Sequence, residues 1–189
     1  MEKYKKYIQI GLAVVIVLLV YFVYDSIRRP IRFLNEKEMR EAVVIDRLKD
    51  IRSAQVAYRS VYSEYTGDFD TLVDFIRYGK LPIIRKIGDA EDTLAVLIRD
   101  TTYVSVFDSL FRKRTSGYVD SLPFIPFSGG EKFHLQAGKI ERSRVMLPVF
   151  EAFAANRFFL KGLNPDYFDP EEGLSVGNMD APTIDGNWE

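Results

Sequence analysis

The feature that most constrains this chain is an uninterrupted apolar run close to its start. From Ile8 to Tyr24 there are 17 residues without a charge, and Gln9 is the only strongly polar one. Extended to Tyr7–Ser26, and passing over Asp25, the run has 20 residues. At about 1.5 Å per helical residue that is roughly 30 Å, the thickness of a bilayer's hydrocarbon core. Tyr4 and Tyr7 lie at one end, and Tyr21, Phe22 and Tyr24 at the other. Aromatic rings collect at the two membrane–water interfaces because each has an apolar body and a polar edge. A signal peptidase requires small residues, and the bulky Tyr21-Phe22-Val23-Tyr24-Asp25 offers none. The sequence therefore predicts an uncleaved single-pass anchor over residues 1–27 whose first partner is the lipid bilayer.

Basic residues flank the run on both sides: Lys3, Lys5 and Lys6 before it, Arg28, Arg29 and Arg32 after it. Charge bias therefore barely orients the span. A short leading tail before a large domain favours a signal anchor in the cytoplasmic membrane, with the domain on the outer, periplasmic side. Tyr4, Tyr7, Tyr21, Tyr24, Arg28, Arg29 and Arg32 are the expected membrane-interface residues, the arginines among lipid headgroups.

Beyond the run the sequence predicts three regions. Residues 28–34 form a basic juxtamembrane linker, broken or kinked at Pro30, which lacks a backbone donor. Residues 35–163 form an α+β domain. Residues 164–189 form an irregular acidic tail. Asn35 with Glu38 spells a capping box, and Leu34 with Met39 a hydrophobic staple, so a new helix is expected to start there. It should run to about Tyr65 with Val44, Leu48, Ile51, Gln55, Tyr58, Tyr62 and Tyr65 as one stripe. Such a stripe must pack on something: the chain's own sheet is expected, and a self-associating coiled coil is the minority alternative, since Gln55 and the three tyrosines are poor seam residues.

A short second helix follows, capped by Asp68 or Asp70 and closed by Gly79 and Pro82. "IIRKI" reads as a strand, and "AEDTLAVLI" as helix or strand. "TTYVSVF", "SLPFIPF", "EKFHLQAGKIE" and "RVMLPVFEAFA" read as strands, and Asp108 as the cap of a turn between the first two. Phe133, Leu135, Ala137 and Lys139 alternate on one face, as in an antiparallel sheet with one covered side. Helices followed by strands define the α+β class.

The net charge of −1 argues against a nucleic-acid partner. It hides an asymmetry. The segment from Asn164 to Glu189 carries seven acids and no base; the rest carries 26 bases and 20 acids. Tyr167, Phe168, Ile184 and Trp188 stand among those acids as candidate partner-binding residues of a docking strap. The opposing reading folds them back onto their own domain.

There is no cysteine, and His134 is the single histidine. Zinc ligation and a Ser–His–Asp triad would both have to use that one residue. No nucleophile elbow, dinucleotide fingerprint or phosphate-binding loop occurs. "DPEEG" at 169–173 lacks the spacing of a calcium loop. The sequence thus predicts no catalytic residue, no metal and no cofactor.

The order of anchor, amphipathic helix and antiparallel sheet resembles the type IV pilins and pseudopilins. "IRSAQVAYRSVYSEYTGDFDTLVDF" at 51–75 is similar to the pilin segment in which an Ala-Tyr run leads into a Tyr-Thr-Gly turn. The prepilin-peptidase motif is absent: Gly11 lies inside the apolar run, and no Glu follows before Glu36. No site residue carries over. "FDTLVDFI", "LPVFEA" and the closing "GNWE" resemble a group of single-pass envelope proteins of the Bacteroidetes.

The expected function is that of a non-catalytic, membrane-anchored subunit or scaffold of an envelope complex, related to secretion or translocation, with other envelope proteins as partners. A pilin-like assembly subunit, forming homo-oligomers, and a membrane-tethered hydrolase or ligand binder are the alternatives.

Overall fold

The computed structural model describes residues 2–87, 98–115 and 117–189. One helix, α1, runs without interruption from Glu2 to Tyr62, 61 residues and roughly 90 Å. The expected break at Pro30 is not made, so residues 28–34 are helix and not a linker. Pro30 withholds the one hydrogen bond that its position would give to the Ser26 carbonyl. Pairs spaced four residues apart, Asp25–Arg29, Glu36–Arg40 and Lys37–Glu41, support the helix around that gap.

The expected capping box is absent for the same reason. Asn35 and Glu38 lie inside α1, where the backbone N–H groups already have partners and no cap is needed. Leu34 and Met39 are both exposed, so no staple forms.

The stripe on the second half of α1 is the centre of the core. Val44, Leu48, Ile51, Ala54 and Gln55 are wholly buried. The stripe fades at Tyr58, which is half-buried, and Tyr62 is 54% exposed. The helix ends at Tyr62, three residues earlier than the pattern suggests, because Ser63 turns into the left-handed region at φ 62°. Tyr65 then folds back onto Phe150, with ring centroids 4.7 Å apart.

Asp68 caps α2 (Phe69–Tyr78), accepting from the Thr71 N–H at 2.8 Å. Leu72, Val73, Phe75 and Ile76 supply its buried face, and Gly79 closes it. Pro82 belongs to the next strand instead.

β1 (Lys80–Ile87) and β2 (Ile98–Ser105) form a two-stranded antiparallel ribbon in which Pro82 faces Tyr103. Most of "AEDTLAVLI" lies outside the described residues. Ser105 caps α3 (Val106–Leu110) through the Asp108 N–H, so Asp108 receives the cap it was expected to provide. "SLPFIPF" is not a strand. Ser121 ends α4 (Tyr118–Ser121), and the prolines leave turns that touch the sheet region only through the Phe124–Lys132 bridge.

The second sheet is antiparallel, in the order β3 (His134–Arg142), β4 (Val145–Ala155), β5 (Gly173–Gly177). Ser143 and Arg144, both at positive φ, form the two-residue hairpin between β3 and β4. The register aligns Leu135, Ala152 and Val176 across the three strands, and Ala137 with Phe150. These rows make the face against α1. Lys139 continues the same alternation past the covered rows, where its exposed ammonium pairs with Glu64 at 3.1 Å. Pro148 sits on β4 opposite Lys139, beyond the stretch that β5 pairs, so its missing donor interrupts no ladder.

α5 (Asn156–Phe159) follows β4, and a single 3-10 turn spans Pro165–Tyr167. The segment after Asn164, expected to be irregular, supplies β5 and with it the buried Leu174 and Val176. Gly186 bridges to Val176, and a side chain there would collide with the Trp188 ring.

Candidate membrane-interface site

α1 contains an apolar segment long enough to cross a membrane, and none of that segment is buried in the protein. Just beyond it, Arg29, Arg32, Phe33, Glu36 and Arg40 share one side of the helix by their three- and four-residue spacing. Opposite stands the loop Gly162-Leu163-Asn164 with Tyr167. Between them lies a groove of 450 Å³.

Each wall is held in place. Gly162 takes φ 86°, which lets the chain leave α5 sharply. Asn164 caps the 3-10 turn, its Oδ1 accepting from the Asp166 N–H at 3.1 Å. Arg40 ties helix to loop: its Nε donates to Glu36 at 2.8 Å, and one terminal nitrogen donates to the carbonyls of Phe159 and Lys161 at 3.1 and 3.0 Å. Phe33 is 8% exposed, packed on Tyr167 at 5.1 Å and stacked on Phe168 at 6.2 Å between centroids.

The charges divide into spent and available. Arg40 is occupied by Glu36 and by the two carbonyls, and Arg29 pairs with Asp25. Among the described residues Arg32 has no carboxylate partner. Arg28 points elsewhere, its guanidinium lying 5.8 Å from the Tyr24 ring centroid. A guanidinium presents a planar fork of donors suited to the paired oxygens of a phosphate or carboxylate.

The structure thus brings together residues expected to serve separate roles: Arg29 and Arg32 from the interface set, Tyr167 and Phe168 from the tail. It does not join Ile184 and Trp188 to them. Those two lie along the middle of α1, where Arg52 donates to the Ile184 carbonyl at 3.3 Å and to Glu189 at 2.8 Å, and Trp188 packs on the core. Tyr21 and Tyr24 are exposed on α1; the side chains of Tyr4 and Tyr7 lie outside the described residues. Sequence reasoning missed Phe33, Arg40, Gly162, Leu163 and Asn164. A lone aromatic between arginines, as Phe33 is, was the one available signal.

A second polar cluster joins α1 to α4 and to the segment before it. Tyr118 donates to Asp50 at 2.5 Å, and Arg114 bridges Asp46 and Asp50 at 2.5 and 3.0 Å. Arg47 and Arg114 both lie 4.7 Å from the Tyr118 ring centroid. Burial, with the bond to Asp50 second, pushes the Tyr118 hydroxyl well above the usual phenol range. Every group in this cluster is consumed by another, as in a clamp holding α4 to α1. A further groove of 540 Å³, lined by Arg77, Tyr78, Ser105 and Asp108 among others, contains the Arg77–Asp120 ion pair. Among the described residues no cluster of three His, Asp or Glu side chains is arranged to hold a metal.

No protein-family model, no curated protein and no solved structure matches this chain.

Proposed function

We propose that this chain is a non-catalytic, membrane-anchored subunit or scaffold of a cell-envelope complex, its domain held against the outer face of the cytoplasmic membrane. One observation carries the reading: α1 is both the apolar segment and the central core element of the domain. A domain built on its own anchor has little freedom to swing. That suits a part that must sit at a fixed height and orientation in an assembly.

The ribbon β1–β2 is the surface that would meet a neighbour. Neither of its outer edges is paired among the described residues. Tyr103 is 64% exposed on it and Tyr78, just before it, 76%. Open edges with exposed aromatics are features that proteins cover.

The test is affinity purification of the tagged full-length chain in mild detergent, with mass spectrometry. A defined set of envelope proteins, depleted by Tyr103→Glu, is the expected result. Recovery of this chain alone as a monomer would overturn the reading.

The continuity of α1 favours a second reading, pilin-like self-assembly through the apolar half of the helix. Because the chain has no cysteine, single cysteines at Val14 or Leu18 give a clean test. Ladders of crosslinked copies would support self-assembly; heterologous crosslinks alone would remove it.

A further inference from the structure

We propose that the groove between α1 and the Gly162–Asn164 loop is a binding site for one anionic phospholipid headgroup, with its phosphate on Arg32 and Arg29. This rests on the reading of α1 as a membrane anchor.

The depth is right. Arg29 and Arg32 lie three and six residues beyond Ser26, so roughly 5 and 9 Å further along the axis, where the phosphates of a bilayer lie. Ile27, Ile31 and Leu34 are each more than half exposed on the same stretch of helix. Their spacing puts them on one face, and lipid covering the span would cover them too.

The chemistry is selective. Arg32 offers a whole guanidinium, and Arg29 keeps donors beyond the one used on Asp25. The Asn164 side-chain NH₂ is not used by the cap, which takes only Oδ1. Tyr167 adds an exposed hydroxyl at the rim. Nearby acids do not defeat an anion: Asp25 and Glu36 are paired, while Asp166 and Glu38 are exposed to solvent and well screened. Phe33, stacked with Phe168, gives the groove an apolar floor for the glycerol end of a lipid, which a free phosphate would not need. A volume of 450 Å³ falls within the range of small-ligand sites.

The test uses delipidated full-length protein in non-ionic detergent. Phosphatidylglycerol or phosphatidylcholine is titrated in, and bound lipid is counted by native mass spectrometry. One phosphatidylglycerol retained in preference to phosphatidylcholine is expected. Arg32→Gln should weaken it roughly five-fold, the worth of one interfacial charge. Arg28→Gln, at the same depth but turned to Tyr24 outside the groove, should cost distinctly less. Equal retention of the two lipids would overturn the proposal. So would equal losses in both variants, which mean diffuse attraction, or displacement by excess inorganic phosphate, which means a free-phosphate site. Flotation with pure phosphatidylcholine vesicles separates this proposal from the anchor itself. Flotation without lipid preference sinks the groove alone; no flotation sinks both.

Discussion

Gln55 closes on both backbone groups of Thr66. Its amide nitrogen donates to the Thr66 carbonyl at 2.6 Å, and its Oε1 accepts from the Thr66 N–H at 3.1 Å. Gln55 is wholly buried and Thr66 nearly so. This pair pins the turn after α1 to the helix that precedes it. Gln55→Leu would fit the apolar stripe and still leave a donor and an acceptor of Thr66 unpaired in the core. The expected loss is about 3 kcal/mol, since each buried orphan costs roughly 1–3 kcal/mol. Urea unfolding followed through Trp188, the chain's single tryptophan, measures it. A variant as stable as the parent would show that Thr66 finds other partners.

Tyr118→Phe should destabilise by about 1–2 kcal/mol, because it removes a bond donated to a carboxylate while leaving the ring between Arg47 and Arg114. The pH dependence has a definite sign. The folded-state pKa of Tyr118 is raised by burial and by Asp50. Its contribution is therefore complete below the ordinary phenol pKa of about 10 and declines as pH climbs beyond that value. Unfolding curves at rising alkaline pH should fall away more steeply for the parent than for Tyr118→Phe. Parallel curves would place the proton of Tyr118 elsewhere.

The two halves of α1 were legible for different reasons, and their union was not. The apolar run announces itself by length, and the stripe from Val44 to Gln55 by its period. Between them, Pro30 and the Asn35–Glu38 pair both carry the local signature of a boundary. Local signals describe what a short peptide prefers; here packing on one side and an apolar run on the other override them. β5 was hidden in the opposite way. Leu174 and Val176 alternate over only five residues among Gly, Pro and Asp, and only the open side of β4 makes that pattern a strand. The groove could not be seen because its walls, Arg32 and Asn164, stand 132 residues apart.

Asp68→Ala removes the cap of α2 and should cost about 1 kcal/mol near neutral pH. The two Thr71 hydrogen bonds, side chain first and backbone second, hold the Asp68 carboxyl below its ordinary pKa. A depressed folded-state pKa contributes stability above the unfolded-state value, and the contribution disappears as pH falls through the folded-state one. The gap between Asp68→Ala and the parent should therefore narrow from about pH 4 downward. Asp68 is almost fully exposed, so the electrostatic share is small and the cap geometry carries most of the effect. Thermal melts of the two proteins from pH 7 to pH 3 measure the gap. A difference that stays constant with pH would mean that the carboxylate's charge plays no part in the cap.

The acidic end of the chain is held by its strand more than by its charges, and two substitutions separate these. Val176 is wholly buried in the row with Ala152 and Leu135. Val176→Asp places an unpaired carboxylate there and should cost about 3 kcal/mol or more. Arg52 pairs with Glu189 at 2.8 Å, but Glu189 is partly exposed, so Arg52→Ala should cost only about 0.5 kcal/mol. Trp188 lies between Gly186, which bridges to Val176, and Glu189, which Arg52 holds, and its emission reports whether the end is docked. Val176→Asp should redshift it and open 164–189 to proteolysis, while Arg52→Ala leaves both readouts close to the parent. If instead Arg52→Ala released the segment and Val176→Asp did not, the segment would be a strap held by charge, free to exchange onto a basic partner. The register of β5 on β4 argues for the first outcome: five consecutive residue pairs, Glu151–Gly177 through Ala155–Gly173, must part before the end can leave.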